Sequence, residues 1–96
     1  MKKLLLLLFV WLSTSGFFLE WVQNQTPVTS FEIGRKPQGG TYTVIAKPTG
    51  TDRTYADKDT TLKAGSTYCY QVTGFNNTTK YAPSSEVCML FAGVRI

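Results

Sequence analysis

The sequence predicts an all-β sandwich, and three observations support this. Past Gly16, no segment places an apolar residue at every third or fourth position, as an amphipathic helix requires. Instead, short runs alternate apolar and polar side chains and end at Gly, Pro, Asn or Asp, a pattern typical of strands joined by turns. With 96 residues, the chain has room for a single domain. We therefore expect one antiparallel β-sandwich.

The start of the chain is typical of an export signal. Two lysines follow the initiator methionine, and an apolar stretch from Leu4 to Leu12 leads to a run of small residues at 13–16 that suits cleavage. We predict a signal peptide over residues 1–16 and a secreted, periplasmic or cell-envelope location for the remainder. The alternative is an uncleaved membrane anchor, if the apolar stretch continues through the small residues into residues 17–19.

The distribution of charge argues against a nucleic-acid partner. The chain has 10 Lys and Arg and 6 Asp and Glu residues, a net charge of +4, but Lys2 and Lys3 lie in the predicted signal. The other basic residues are scattered singly, whereas a nucleic-acid-binding surface clusters them on one face. We expect no nucleic-acid partner, and a membrane partner only if the N-terminal segment stays uncleaved.

Three strands are predicted before residue 47. Residues 17–22 and 30–35 alternate apolar and polar side chains, so one face of each strand would lie in the core. The inward side chains of these two strands are Phe17, Leu19, Trp21, Phe31 and Ile33. Residues 41–46 are rich in β-branched side chains and precede Pro48, whose missing N–H favours a strand at the edge of a sheet.

Three further strands are predicted in the second half of the chain. Residues 53–57 form a short strand, residues 67–73 the longest one, and residues 85–89 the last, which follows a polar loop at 76–83. Alternation gives the last two strands their inward side chains, which are Tyr68, Tyr70, Val72, Val87 and Met89.

Each of these last two strands has one cysteine on its outward face, away from the core side chains. If the strands pair antiparallel, Cys69 and Cys88 would lie side by side, at a Cα separation that a disulfide tolerates. An oxidising compartment outside the cytoplasm would let that bond persist. Two separate buried thiols are the alternative, and a metal site would lack His and further Cys ligands.

Several motifs resemble those of a fibronectin type III domain, over about Phe17 to Met89. Residues 19–21, LEW, match the family's Leu-x-Trp, and residues 31–35, FEIGR, match its aromatic-x-Ile ahead of a basic residue. Residues 62–72, LKAGSTYCYQV, resemble its Leu-x-Pro-Gly-Thr-x-Tyr-x-Tyr-x-Val, and residues 84–87, SSEV, resemble its closing Ser-x-x-Val.

This resemblance implies an immunoglobulin-like sandwich over residues 17–92, followed by a short tail at 93–96. It makes Trp21 the core tryptophan, and Tyr68 the tyrosine whose hydroxyl reaches the backbone near Leu62. The family's first strand should precede residue 17, where the predicted signal stands. If residues 1–16 are cleaved, the sandwich lacks that edge strand. Residues 90–92 or a partner chain could then supply a strand, or the N-terminal segment could stay uncleaved and supply it.

The sequence contains no recognisable reactive constellation. Without His, a Ser-His-Asp arrangement cannot be built, and pairing the cysteines would remove the best nucleophile. We expect the six carboxylates to be solvated on outer faces and loops, including Asp57 and Asp59, which fall short of a calcium ligand set. We predict no enzymatic activity, no cofactor and no metal.

A non-catalytic binding or spacer module is the function that this leaves. Its partner would be an unknown protein or glycan, and Lys80 and Tyr81 in the polar loop offer a possible contact. Membrane-anchored display of the same domain is one alternative, and a small enzyme fragment is another.

Overall fold

A computed structural model of the chain describes residues 6–13 and 16–92. All regular structure in this part of the chain is β, in agreement with the predicted class. The eight strands are β1 (Leu6–Leu12), β2 (Phe17–Gln23), β3 (Ser30–Pro37), β4 (Thr43–Ala46), β5 (Thr54–Asp57), β6 (Thr67–Asn76), β7 (Thr79–Lys80) and β8 (Val87–Leu90).

The strands form two antiparallel sheets that pack face to face. The three-stranded sheet has the order β1-β2-β5, and the five-stranded sheet has the order β4-β3-β6, with β7 and β8 each pairing with β6. The prediction of an edge strand before Pro48 is confirmed, since β4 lies at the end of its sheet. Within the described residues, no helix is long and apolar enough to cross a membrane.

Alternating side chains from both sheets fill the core. The largest fully buried side chains belong to Trp21, Tyr70, Phe17, Phe31, Leu19, Ile33, Val72 and Cys69. Tyr68 is also buried, while Leu62 and Val87 are partly buried and pack against the same cluster. The edges of aromatic rings meet ring faces here, with centroids 5.5 Å apart for Trp21 and Phe31.

The first strand corresponds to one of the alternatives given above for the missing edge, a strand formed by the N-terminal segment. The stretch assigned to a signal peptide supplies, as β1, the edge strand that the sandwich would otherwise lack, and it pairs with β2 along its whole length. Leu6, Leu8 and Val10 point into the core, and the residues between them face outward. The sequence concealed this strand because both of its faces are apolar, which removes the alternation on which the other strands were recognised.

The hairpin between β1 and β2 accounts for a small residue in the run at 13–16. The backbone N–H of Ser13 donates to the carbonyl of Gly16 over 2.9 Å. A Cβ at Gly16 would lie 1.9 Å from the carbonyl oxygen of Asp57, so β2 and β5 could not approach as they do. Residues 1–5, 14 and 15 and the tail at 93–96 lie outside the described residues, and the signal peptide over 1–16 stays a prediction.

Replacing single leucines of β1 tests whether this strand is part of the folded domain. Leu8→Ala removes a side chain that is 8% exposed, whereas Leu7→Ala changes a neighbour on the outer face that is 43% exposed. We expect Leu8→Ala to lower the free energy of unfolding by about 2 kcal/mol. Leu7→Ala should change it by less than about 0.5 kcal/mol. Urea unfolding of the whole chain measures both, and equal effects would contradict the placement of β1.

Candidate functional site

Four polar side chains meet between the two sheets. The Arg35 guanidinium donates from Nη1 to both oxygens of Asp57, at 3.0 and 2.8 Å, and from Nη2 to Oδ2 of Asp59 at 2.7 Å. The Tyr70 hydroxyl donates to Oδ2 of Asp57. We call these four residues the inter-sheet cluster.

The register of the strands brings the inter-sheet cluster together. Arg35 on β3 lies directly opposite Tyr70 on β6 in the five-stranded sheet. Asp57 ends β5 and lies opposite Phe17 of β2 in the three-stranded sheet. The side chains of Arg35, Tyr70 and Asp57 therefore point into the space between the sheets. The ion pair between Arg35 and Asp57 joins one sheet to the other.

The expectation that all carboxylates are solvated is wrong for Asp57, whose residue is only 2% exposed. The alternation of side chains along the strands could have predicted that Asp57 is buried. Arg35 has the same parity as the inward residues Phe31 and Ile33, and Asp57 lies two positions after Tyr55, which also packs against the core. The charge of Asp57 led to its surface assignment.

The pKa values of the inter-sheet cluster follow from its contacts. Hydrogen bonds from Thr61, together with the one from Arg35, lower the pKa of Asp59 to about 2. Burial, and then the hydrogen bond to Asp57, raise the pKa of Tyr70 far above its ordinary value. Burial alone would lower the pKa of Arg35, but the two carboxylates raise it more. Arg35 and Asp59 therefore stay charged, and the Tyr70 phenol stays neutral, near pH 7.

This arrangement holds the sheets together and leaves little for chemistry. Both oxygens of Asp57 accept hydrogen bonds from Arg35, while the backbone N–H of Asp59 and the Tyr70 hydroxyl add one each. Asp59 accepts from Arg35, and also from the Thr61 backbone at 2.9 Å and hydroxyl at 2.7 Å. With these lone pairs engaged, we assign the inter-sheet cluster a structural role.

The cysteine pair forms the predicted disulfide. Cys69 lies directly opposite Cys88 in the β6–β8 register, and the Sγ atoms are bonded at 2.07 Å. Cys69 is fully buried although it lies on the face away from the core residues of β6, whereas Cys88 is exposed. A carboxylate oxygen of Glu86 lies within 4.8 Å of both sulfurs, but disulfide sulfurs are not thiolates, the form that binds a metal.

The other residues singled out in the sequence lie elsewhere. The hydroxyl of Tyr68 accepts a hydrogen bond of 2.8 Å from the backbone of Lys63, next to Leu62. Lys80 belongs to the short strand β7 rather than to a loop, and it is exposed. Tyr81 is half-buried, and its hydroxyl donates to the carbonyl of Pro27 at 2.6 Å. A binding role for Lys80 and Tyr81 stays a prediction.

A further surface lies on the outer face of the three-stranded sheet, opposite the core. Three aromatic rings adjoin each other on it, and we call them the aromatic group. Phe9 and Trp11 lie along β1 with centroids 6.1 Å apart, and Phe18 lies across from Trp11 on β2 with centroids 6.3 Å apart. Leu7 pairs with Val22 beyond Phe9, and Glu20 lies beside Phe9. We call these six residues the outer face. Sequence reasoning missed it because half of it lies in the stretch assigned to a signal.

Comparison with solved structures identifies the fold. A fibronectin type III-like protein from Clostridium thermocellum superposes with a TM-score of 0.62 at 27% identity, over 93% of this chain and 92% of that one. The domain is fibronectin type III-like. This confirms the resemblance of the strand motifs, while no family model and no curated protein matches the sequence.

Two pectate lyases contain a region of the same fold as this fibronectin type III-like domain. Pectate lyase PelI from Erwinia chrysanthemi, solved in complex with tetragalacturonic acid, gives a TM-score of 0.75 at 21% identity over 86% of this chain. Pectate lyase Pel3 from Pectobacterium carotovorum gives 0.76 at 22% identity over 94%. The chain spans only 27% and 28% of these two enzymes, so the likeness concerns the fold of one part of each.

Asn substitutions separate the roles of the two carboxylates in the fibronectin type III-like domain. The Asp57 side chain is 3% exposed and that of Asp59 is 32% exposed. Asp57→Asn leaves a mostly buried guanidinium without its main counter-charge, and we expect it to lower the free energy of unfolding by about 3 kcal/mol. Asp59→Asn should lower it much less, because the Asp59 side chain is more exposed to solvent. Urea unfolding at pH 7 measures both, and a smaller loss for Asp57→Asn than for Asp59→Asn would disprove the structural role.

Acid should weaken the same cluster through Asp59. Its pKa is about 2 in the folded protein, against an ordinary value of 3.8. A lowered pKa in the folded state contributes stability that is present above pH 3.8 and is lost as the pH falls through 2. We expect the melting temperature of Asp59→Asn to fall less than that of the unchanged protein between pH 4 and pH 2. Parallel pH profiles would show that Asp59 does not titrate in this way.

Proposed function

We propose that this chain is an exported, non-catalytic binding module whose partner is a polysaccharide. The outer face carries this proposal. Phe9 is 45%, Trp11 47% and Phe18 38% exposed, and they adjoin each other on one sheet. Monomeric proteins seldom present so many large apolar side chains together unless the surface binds something.

The rest of the polar chemistry supports a non-catalytic role. In the inter-sheet cluster, Asp57 and Arg35 are engaged with each other across the sandwich, and Tyr70 is held in its neutral form. A fibronectin type III-like protein superposes on nearly the full length of this chain, and this chain covers nearly all of that protein. The pectate lyases act on a polysaccharide, and about a quarter of each shares this fold, which favours a glycan as partner.

Export is consistent with the disulfide, because a bond between Cys69 and Cys88 persists in an oxidising compartment. The exported protein has the outer face only if residues 6–12 are not cleaved off and form β1. Membrane-anchored display would use the same stretch in another way. The two uses exclude each other, since Leu6, Leu8 and Val10 cannot lie in the core and in a bilayer at once.

The first test is the intact mass of the protein secreted by an exporting host, with and without reduction and thiol alkylation. We expect a soluble protein that retains residues 6–12 and whose thiols react only after reduction. A mass that begins at Phe17 would remove β1 and the outer face from the mature protein. Recovery only in the membrane fraction would favour the anchored alternative.

The second test is retention of the folded protein in native gels that contain soluble polysaccharides. We expect slower migration in at least one gel, while a fibronectin type III domain with a polar outer face migrates equally in all of them. Absence of retention in every gel would contradict a polysaccharide partner.

A further inference from the structure

We infer that the outer face binds an uncharged polysaccharide chain, with Phe9, Trp11 and Phe18 stacking on sugar rings and Glu20 accepting hydrogen bonds from sugar hydroxyls. This inference rests on the proposed function and assigns to it a site and a class of ligand.

The rings of the aromatic group lie close enough together to contact adjacent sugar rings of one polysaccharide chain. Phe9 and Trp11 are two positions apart on one strand, and their ring planes differ by only 18°. Phe18 lies directly opposite Trp11 on β2, and its ring is tilted by 36° from that of Trp11. An aromatic face is electron-rich, so the C–H groups on one side of a sugar ring pack favourably against it.

Glu20 is what distinguishes this surface from a purely apolar one. The β-sheet register places it between Phe9 on one side and Thr54 on the other, and two positions along β2 from Phe18. Its side chain is exposed, and within residues 6–13 and 16–92 no hydrogen bond or ion pair engages its carboxylate. The carboxylate of Glu20 is therefore available as an acceptor beside the aromatic group.

The position of this carboxylate selects among the possible occupants. In a protein–protein interface, an unpaired charge near the centre would lose its hydration without compensation. Insertion into a bilayer would be costly for the same group. An acidic polymer, such as the tetragalacturonic acid in the complex of pectate lyase PelI, would be repelled by it, so the shared fold supports a glycan partner but not that acidic one. An uncharged polysaccharide presents apolar ring faces for the aromatic side chains and hydroxyl donors for Glu20, and it leaves the edges of the site hydrated.

The loop named from the sequence fits such a ligand less well. The Tyr81 hydroxyl is engaged by the Pro27 carbonyl, and its ring has no aromatic neighbour among the described residues. The outer face offers three adjacent rings in place of one. We therefore place the sugar contacts on the three-stranded sheet.

Affinity electrophoresis of the whole chain tests the inference. The gels contain hydroxyethyl cellulose, xyloglucan or galactan as uncharged polymers, and polygalacturonate as an acidic one. We expect retention by at least one uncharged polymer and a loss of about tenfold or more in affinity for Phe9→Ala and for Trp11→Ala. Val44→Ala is the matched control, because Val44 is an exposed apolar residue on the other sheet, at 48% exposure. Tyr81→Ala tests the loop, and both controls should bind as the unchanged protein does.

Glu20→Gln separates a sugar ligand from a protein partner. It replaces a charged acceptor with a weaker neutral one, so binding of an uncharged polysaccharide should weaken several-fold. If the outer face instead pairs with another protein surface, such as a second copy of the chain, removing the charge should strengthen association. Sedimentation velocity at increasing protein concentration measures that alternative directly.

Tryptophan fluorescence gives a second measure of the same site. Trp11 is 47% exposed whereas Trp21 is 1% exposed, so a bound sugar should change the emission of Trp11 only. We expect the change to disappear in Trp11→Phe, with an unaltered melting temperature as the check on folding.

The outcomes distinguish the two proposals. If the unchanged protein is retained by no polysaccharide, the proposed function fails. If it is retained but Phe9→Ala and Trp11→Ala bind equally well, only the site assigned here is overturned. Preferential binding of polygalacturonate, or self-association that Glu20→Gln strengthens, would overturn the uncharged ligand.

Discussion

A carboxylate between two apolar sheets is the constraint on which the sandwich depends. Asp57 is charged where water is nearly excluded, and such a charge is tolerated only with a partner of opposite sign and with its lone pairs engaged. Arg35 and Tyr70 meet both requirements from neighbouring strands of the opposite sheet. Apolar side chains can pack in several arrangements, but this ion pair and its hydrogen bonds form only when β5 faces β3 and β6 in one alignment. The inter-sheet cluster thus fixes how the sheets lie on each other.

The first strand, β1, contributes to both the core and the surface of the domain. One face of β1 completes the core with Leu6, Leu8 and Val10, and the other face exposes half of an aromatic surface. A strand that is apolar on both sides is usual in the middle of a protein and unusual at a sheet edge in water. The domain tolerates it because one side is covered by the five-stranded sheet, and we propose that a ligand covers the other.

Much of the fold could be predicted from alternation, and the exceptions have physical causes. The parity of Tyr68, Tyr70 and Val72 placed the core, and the opposite parity of Cys69 placed the disulfide. Alternation also pointed Arg35 inward, but a charge on an inward position can be interpreted correctly only when its counter-charge is known, and that partner comes from a distant strand. In β1 the pattern itself was absent, because a continuous apolar run has no polar face to reveal its period. The outer face could not be predicted either, because half of its residues lie in β1.

The hairpin closed by Ser13 and Gly16 also bears on the order in which the domain forms. β1 and β2 are adjacent along the chain, so their pairing closes only a short loop, whereas β2–β5 and β3–β6 must bring together residues far apart in sequence. The hairpin therefore can form first, and it does so with apolar side chains on both of its faces. Until β3 and β6 cover one of these faces, the hairpin would expose apolar side chains on both sides, and such exposure favours aggregation. Slow synthesis between β2 and β6 would prolong that exposure, and a chaperone that holds apolar strands would shorten it.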